Sequence, residues 1–150
     1  MIYVTGGTGL LGSHLLIELT KEKSAIRAIY RSEKKRIQTK QLFKYYYPED
    51  WEAKFAQIEW VEGDILDYLS LEEALKDVSS IYHCAAIVSF EKKERKRMIA
   101  NNVEGTANLV NAAIENGVRK ICHVSSIAAL GRLDNGQAVT EETNWVPAKR

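Results

Sequence analysis

A glycine-rich segment near the start of the chain is the sequence feature that most constrains the fold. Residues 5–12 read Thr-Gly-Gly-Thr-Gly-Leu-Leu-Gly and directly follow the β-rich run Ile2–Val4. Leucines then recur at spacings of three and four that are typical of an amphipathic helix. They are Leu11, Leu15, Leu16 and Leu19. The sequence therefore predicts a strand, a tight glycine turn and a helix in immediate succession.

Three of these glycines have separate physical uses in such a turn. Gly6 allows the chain to leave the strand sharply, Gly9 lets a pyrophosphate approach the backbone, and Gly12 lets the helix pack close to the sheet. The helix adds unpaired N–H groups and the positive end of its dipole. We therefore expect the turn to hold phosphate groups, because the strand before it and the helix after it supply the required context. A tight turn that binds nothing is the alternative.

Short β-rich runs alternate with longer helical stretches along the rest of the chain, without internal repeats. This alternation is typical of βαβ units and a parallel sheet. Since crossovers between parallel strands are right-handed, we predict an α/β fold with a doubly wound, five-stranded parallel sheet of order 3-2-1-4-5 and helices on both faces. The predicted strands are 2–4, 26–30, 58–62, 81–85 and 120–124, and further helices are predicted within 32–44, 69–76 and 92–116.

The helix predicted at 92–116 is the longest, and Gly117 is its expected C-terminal cap. Its apolar residues at helical spacing predict an inner face. That face comprises Ile99, Val103, Ala107, Val110 and Ile114. Residues 45–50 and 134–150 are predicted to be loops.

Composition and charge exclude several classes of protein. The 150 residues suit a single domain, and 21 Lys and Arg against 20 Asp and Glu argue against a nucleic-acid binder and an acidic disordered tail. The apolar runs are too short to span a bilayer, so we expect no membrane partner.

The two cysteines, Cys84 and Cys122, lie in apolar runs. We predict that both are buried free thiols in a reducing cytoplasm. Each has a histidine beside it, His83 and His123, but neighbouring residues on a strand point to opposite faces. We therefore expect no metal site from these pairs.

Four further segments fall at predicted strand ends or on the long helix. They are Gly63-Asp64-Ile65, His83-Cys84-Ala85-Ala86, Asn101-Asn102-Val103-Glu104-Gly105-Thr106 and the run from Val124 to Gly131. With residues 5–12, they resemble in order and placement the motifs of the extended short-chain dehydrogenase/reductase superfamily, the NAD-dependent epimerase/dehydratase family. The chain is most similar to the dihydroflavonol reductase-like branch. The resemblance implies a Rossmann-type dinucleotide-binding domain over 1–150, the N-terminal portion of a longer enzyme without its later strands and substrate domain.

The resemblance also implies which residues contact the dinucleotide. Asp64 and Ile65 lie at the adenine, Ala85 and Ala86 lie along the cofactor, and Ser125 lies on the nicotinamide side. The full expected set is Gly6, Gly9, Leu10, Leu11, Gly12, Arg31, Asp64, Ile65, Ala85, Ala86, Asn101 and Ser125. We expect these residues to meet at the C-terminal ends of the strands, at the switch point between the first and fourth strands.

The end of the second predicted strand bears on the choice between NAD and NADP. An acidic residue there binds a free ribose 2′-hydroxyl, whereas an arginine accommodates a 2′-phosphate. No carboxylate stands at Tyr30 or Arg31, and the planar guanidinium of Arg31 suits phosphate. Three more cations follow, at Lys34, Lys35 and Arg36. This pattern predicts NADP, with NAD less favoured, and the alternative is that these cations form a solvated helix start.

Ser126 matches the serine that holds the substrate oxygen in the superfamily, where a Tyr passes the proton and a Lys four residues later assists it. Only Tyr30 and Lys34 have that spacing in this chain, and they precede the serine. We therefore expect an NADP-dependent carbonyl reductase whose 150-residue portion is catalytically inactive. An NAD-dependent nucleotide-sugar epimerase or dehydratase and a non-catalytic dinucleotide-sensing module are the alternatives.

The expected partners are a small carbonyl or nucleotide-sugar substrate, which fold-level resemblance does not identify, and no nucleic acid. The resemblance implies a homodimer formed through the long helix, beside the helix that carries the Tyr and Lys. Without that neighbour we expect exposed apolar surface at Leu109, Ala112 or Ala113, and hence self-association.

Overall fold

The computed structural model describes residues 1–22, 24–130 and 138–143. Its five parallel strands are β1 Ile2–Thr5, β2 Ile26–Tyr30, β3 Ile58–Glu62, β4 Ser80–His83 and β5 Lys120–His123. They form one sheet of order β3-β2-β1-β4-β5, as predicted. The helices are α1 Leu10–Lys21, α2 Glu33–Tyr46, α3 Trp51–Ala56, α4 Tyr68–Ala74, α5 Arg95–Ile99 and α6 Gly105–Glu115.

Strand β1 is buried on both faces because helices cover the sheet from both sides. Its consecutive residues Tyr3 and Val4 point to opposite faces. Tyr3 belongs to a cluster with Leu71 of α4 and Leu109 of α6, whereas Val4 belongs to a cluster with Leu16 of α1. The chain therefore has a Rossmann-type, doubly wound architecture with two apolar layers.

The region between β2 and β3 is more helical than predicted. Helix α2 starts at the cap Ser32 and continues through Tyr46, into the segment predicted to be a loop. The six-residue helix α3 was not predicted at all. Two of its aromatic residues, Trp51 and Phe55, pack against the cluster on the α1 side of the sheet. Tertiary packing of these two partly buried side chains supports the helix, which is too short for a helical period to be evident in the sequence.

Residues 92–115 form one helical segment whose winding changes along its length. A 3₁₀ turn, Lys92–Glu94, leads into α5, and a π turn, Ala100–Glu104, separates α5 from α6. After α6, Gly117 has φ +68°, the left-handed conformation expected of a glycine cap.

The faces of this segment are the reverse of those predicted. The five residues predicted to face inward are all exposed: Ile99, Val103, Ala107, Val110 and Ile114. Leu109, Ala112 and Ala113, expected to be exposed, are buried. The cause is close packing, because a Cβ on Gly105 would lie 2.6 Å from Ile65 Cδ1. Small residues allow this approach to the sheet, and the β-branched residues are left outside.

Strand β5 differs from the other strands because all four of its residues are exposed. Within the described ranges, β4 is its only strand neighbour. Cys122 on β5 is therefore exposed and Cys84 after β4 is only partly buried, so the prediction of two buried thiols is wrong. None of the helices in the described ranges is long and apolar enough to cross a membrane.

Candidate functional site

A pocket of about 360 Å³ opens at the C-terminal ends of β1 to β4. Its lining comes from the glycine turn, the β2 end, the β3 and β4 ends and the long helical segment. These residues are Gly6, Thr8, Gly9, Ile29, Tyr30, Arg31, Ser32, Lys35, Gly63, Ile65, Cys84, Ala85, Ala86, Arg97 and Asn101. The pocket lies at the switch point between the paired strands β1 and β4, where the chain leaves the two strands toward opposite faces of the sheet. Open α/β sheets bind ligands at this place.

The glycine turn is packed too tightly for side chains. Gly6 has φ +69°, and a Cβ on it would lie 2.6 Å from the backbone nitrogen of Ala85. A Cβ on Gly12 would lie 2.2 Å from the carbonyl oxygen of Gly6. Gly9, the N-cap of α1, lines the pocket and has no side chain to cap the first N–H groups of the helix. Such a backbone cradle suits a phosphate.

Arg31 crosses from the end of β2 to two other elements. Its Nη1 donates to Asp64 Oδ2 at 3.3 Å and to Asn101 Oδ1 at 3.2 Å. The other carboxylate oxygen of Asp64 accepts the backbone N–H of Leu66 at 3.0 Å, which fixes the orientation of the carboxylate. Arg31 therefore connects β2, the loop after β3 and the π turn.

The charges that line the pocket are all positive. Arg31, Lys35 and Arg97 contribute to the wall, and none of the described lining residues is Asp or Glu. Arg97 was not predicted, although it stands four residues before Asn101 and so shares its helix face. That spacing is the signal that could have identified it. Its Nη1 donates to Glu94 at 3.2 Å.

A chain of hydrogen bonds runs from the pocket edge into the core. The Ala85 N–H donates to Thr5 Oγ1 at 3.2 Å, and Thr5 Oγ1 lies 2.6 Å from His83 Nδ1. On the other side of the ring, His83 Nε2 lies 2.9 Å from Thr106 Oγ1, which donates to the carbonyl oxygen of Asn102 at 2.7 Å. The network holds the helical segment to the strand that ends at the pocket.

The network also fixes the tautomer of His83. Because the Thr106 hydroxyl proton goes to a carbonyl, Nε2 of His83 must carry the hydrogen and Nδ1 must accept from Thr5. Burial, together with a smaller effect of the nearby ring of His123, lowers the pKa of His83 to about 4. A neutral imidazole is therefore built into the structure at neutral pH.

The structure brings together some of the predicted cofactor residues and leaves others aside. Gly6, Gly9, Arg31, Ile65, Ala85, Ala86 and Asn101 line one pocket. Asp64 reaches it through Arg31, and Gly12 supports the turn from behind. The side chains of Leu10 and Leu11 are exposed to solvent.

The predicted catalytic region lies beyond β5 and outside the pocket lining. Ser125 and Ser126 are both exposed, and the carbonyl oxygen of Ser126 accepts the Ala129 N–H at 2.9 Å. The end of the run that resembles the serine motif, Gly131, falls outside the described residues.

Comparison with known proteins identifies relatives over nearly the whole chain. A putative dihydroflavonol 4-reductase of Synechocystis is 30% identical over 139 residues, which cover 93% of this chain and 36% of the relative. A UDP-glucose 4-epimerase of Rickettsia rickettsii is 30% identical, covering 86% of this chain and 37% of the relative. A short-chain dehydrogenase/reductase superfamily protein of Agrobacterium tumefaciens, solved with bound NAD, superposes with a TM-score of 0.74 at 28% identity, covering 99% of this chain and 40% of that one.

The chain thus spans well under half the length of these relatives, whose names include both a reductase and an epimerase. The family model that describes the NAD dependent epimerase/dehydratase family matches residues 2–149. The extent of that match, together with the glycine turn and the strand order, places this chain in the NAD dependent epimerase/dehydratase family.

Proposed function

We propose that residues 1–150 are the dinucleotide-binding domain of an NADP-dependent oxidoreductase that reduces a small carbonyl substrate, as dihydroflavonol reductase-like enzymes do. The observation that carries the proposal is the end of β2, where Arg31 and Lys35 line the pocket and the described lining holds no carboxylate. An arginine at this place accommodates a 2′-phosphate, whereas a carboxylate would repel it.

The residues present fit such a cofactor. The turn at Gly6 and Gly12 has room for backbone only, and it leaves the N-terminus of α1 to the pyrophosphate. Arg31 and Lys35 would hold the 2′-phosphate, and Asp64, with Ile65 and Asn101, would hold the adenine. Ala85 and Ala86 would lie along the cofactor, and Ser125 beside the nicotinamide. Bound NADPH supplies the hydride.

Ser126 would orient the substrate by donating its hydroxyl hydrogen to the carbonyl oxygen. Protonation of that oxygen needs a second group. The resemblance assigns this role to a Tyr assisted by a Lys, and no tyrosine follows Tyr82 in these 150 residues. The proton donor would therefore belong to the longer protein. We also propose that this longer protein is a cytoplasmic homodimer.

The experiment measures the dissociation constants of NADP and NAD by isothermal titration calorimetry, for the parent chain and for Arg31→Ala. We expect the parent to bind NADP at least tenfold more tightly, since a charge-assisted contact to phosphate contributes about 1.5–3 kcal/mol. Arg31→Ala should lose most of that preference. If the parent binds NAD as tightly as NADP, the assignment of the cofactor is wrong.

A nucleotide-sugar epimerase or dehydratase that uses NAD is the second candidate, favoured by the epimerase relative and by the neighbour with bound NAD. The same titration separates it from the reductase, because it predicts a preference for NAD. A non-catalytic sensing module would bind a dinucleotide without turnover in the longer protein. A Tyr-x-x-x-Lys sequence following Ser126 in that protein would argue against the sensing module.

A further inference from the structure

Arg31 has a second effect that follows from its contacts with neighbouring side chains. Its guanidinium is bonded to Asp64 and Asn101, the two acceptors proposed for the adenine. Arg31 and Asn101 line the pocket, and Asp64 reaches it through Arg31. The exposed fractions of the Arg31 and Asp64 side chains, 47% and 39%, leave the pair open to an incoming ligand. Both bonds use the same nitrogen, Nη1, so a 2′-phosphate that takes up Nη1 competes with the contacts to Asp64 and Asn101.

We propose that Arg31 excludes NAD by occupying the adenine-binding acceptors, and that a 2′-phosphate releases them by drawing the guanidinium away. The inference rests on the proposed preference for NADP and explains how the preference arises. A ligand with a 2′-phosphate replaces the bonds to Asp64 and Asn101 with bonds to phosphate. A ligand without a 2′-phosphate must break the bonds to Asp64 and Asn101 without forming new bonds to Arg31. This cost weakens the binding of NAD relative to NADP.

The geometry supports a switch between the two sets of bonds. Asp64 is held by the Leu66 N–H through Oδ1, so Oδ2 stays in place when Arg31 leaves. Asn101 is buried and donates from its amide to Asn102 Oδ1, so its own Oδ1 likewise stays oriented toward the pocket. Both oxygens are acceptors, and the exocyclic amino group of adenine is a donor. Departure of Arg31 thus exposes two fixed acceptors.

The test uses 5′-AMP and adenosine 2′,5′-bisphosphate, which differ only in the 2′-phosphate. Dissociation constants are measured by calorimetry for the parent chain, Arg31→Ala and the matched control Lys34→Ala. Lys34 is exposed at the start of α2 and does not line the pocket, so its loss removes the same charge without touching Asp64. The comparison between the two variants removes the general attraction of a cation for phosphate.

We expect Arg31→Ala to bind the bisphosphate at least tenfold more weakly than the parent. We expect it to bind 5′-AMP about threefold more tightly than Lys34→Ala does, the scale of a half-exposed ion pair. The gain should shrink at about 0.5 M salt, which screens such a pair.

Equal or weaker binding of 5′-AMP by Arg31→Ala, relative to Lys34→Ala, would overturn the inference and leave the proposed cofactor intact. A parent that does not prefer the bisphosphate would instead refute the proposed cofactor. A gain in 5′-AMP binding in that case would mean that Arg31 blocks the acceptors without serving a phosphate, which also overturns the inference as stated.

Discussion

The neutral, buried imidazole of His83 should make the chain unstable in mild acid. Its pKa in the folded chain is about 4, against 6.5 for an unperturbed histidine. As pH falls below about 6.5, His83 of the unfolded chain binds a proton, whereas His83 of the folded chain binds it only near pH 4. The contribution of the neutral His83 ring to the free energy of unfolding is therefore fully present above about pH 6.5, and it is lost as pH falls from there to about pH 4. Between about pH 7 and about pH 5 the loss is roughly 2 kcal/mol.

Urea unfolding at several pH values, monitored by fluorescence, measures this loss for the parent and for His83→Gln. Carboxylates that titrate in the same range are common to both proteins, so the difference between the two pH profiles isolates His83. The variant should be less stable at pH 7, because it disturbs the bonds to Thr5 and Thr106, but its profile should be flatter by roughly 2 kcal/mol. A matched variant, His123→Gln, should retain most of the slope, since burial is the larger cause of the low pKa.

A direct titration of the His83 ring by NMR provides the second measurement. The nitrogen shifts should report the Nε2–H tautomer and no protonation above about pH 5. A ring that titrates near its ordinary pKa, or a parent and His83→Gln with parallel pH profiles, would refute the reasoning.

Three other outcomes follow from the structure. Gly12→Ala should lower the free energy of unfolding by about 1–3 kcal/mol, since its Cβ would overlap Gly6, and an unchanged urea midpoint would contradict the packing. The 150-residue chain should oxidise no NADPH with any carbonyl substrate in an absorbance assay, and turnover would show that the proton donor is not the expected tyrosine. Light scattering should give a mass that rises with concentration and falls in Val110→Lys/Ile114→Lys, because both residues are exposed; a monomeric parent would contradict this.

The sheet and the glycine turn could be predicted from the sequence because each depends on local signals. Strand order follows from the alternation of elements and the handedness of crossovers. Gly6 was predicted to let the chain leave the first strand in a sharp turn toward the helix, and its φ of +69° agrees with that role. Gly117 is a similar case, because a glycine after a helical period predicts a cap.

The orientation of the long helical segment could not be read from periodicity. The segment has two apolar faces, and the spacing of its residues does not determine which of the two packs against the sheet. The β-branched stripe looks like a core, yet Gly105 and Ala112 allow a closer approach to the sheet and are buried instead. The hydrogen-bond partners of Arg31 could not be predicted from local sequence patterns either, since they lie 33 and 70 residues away in the chain.

The π turn Ala100–Glu104 makes the pocket edge of the long segment tolerant of a change in length. A π turn holds one residue more than the α-helical turn that it replaces. Loss of that residue would therefore restore a regular α-helical turn and leave α5 and α6 in nearly the same relative orientation. Arg97 would keep its place in the pocket wall, and Gly105 and Leu109 of α6 would keep their contacts in the core. The edge of the pocket beside Asn101 can thus lose a residue without repacking of the domain.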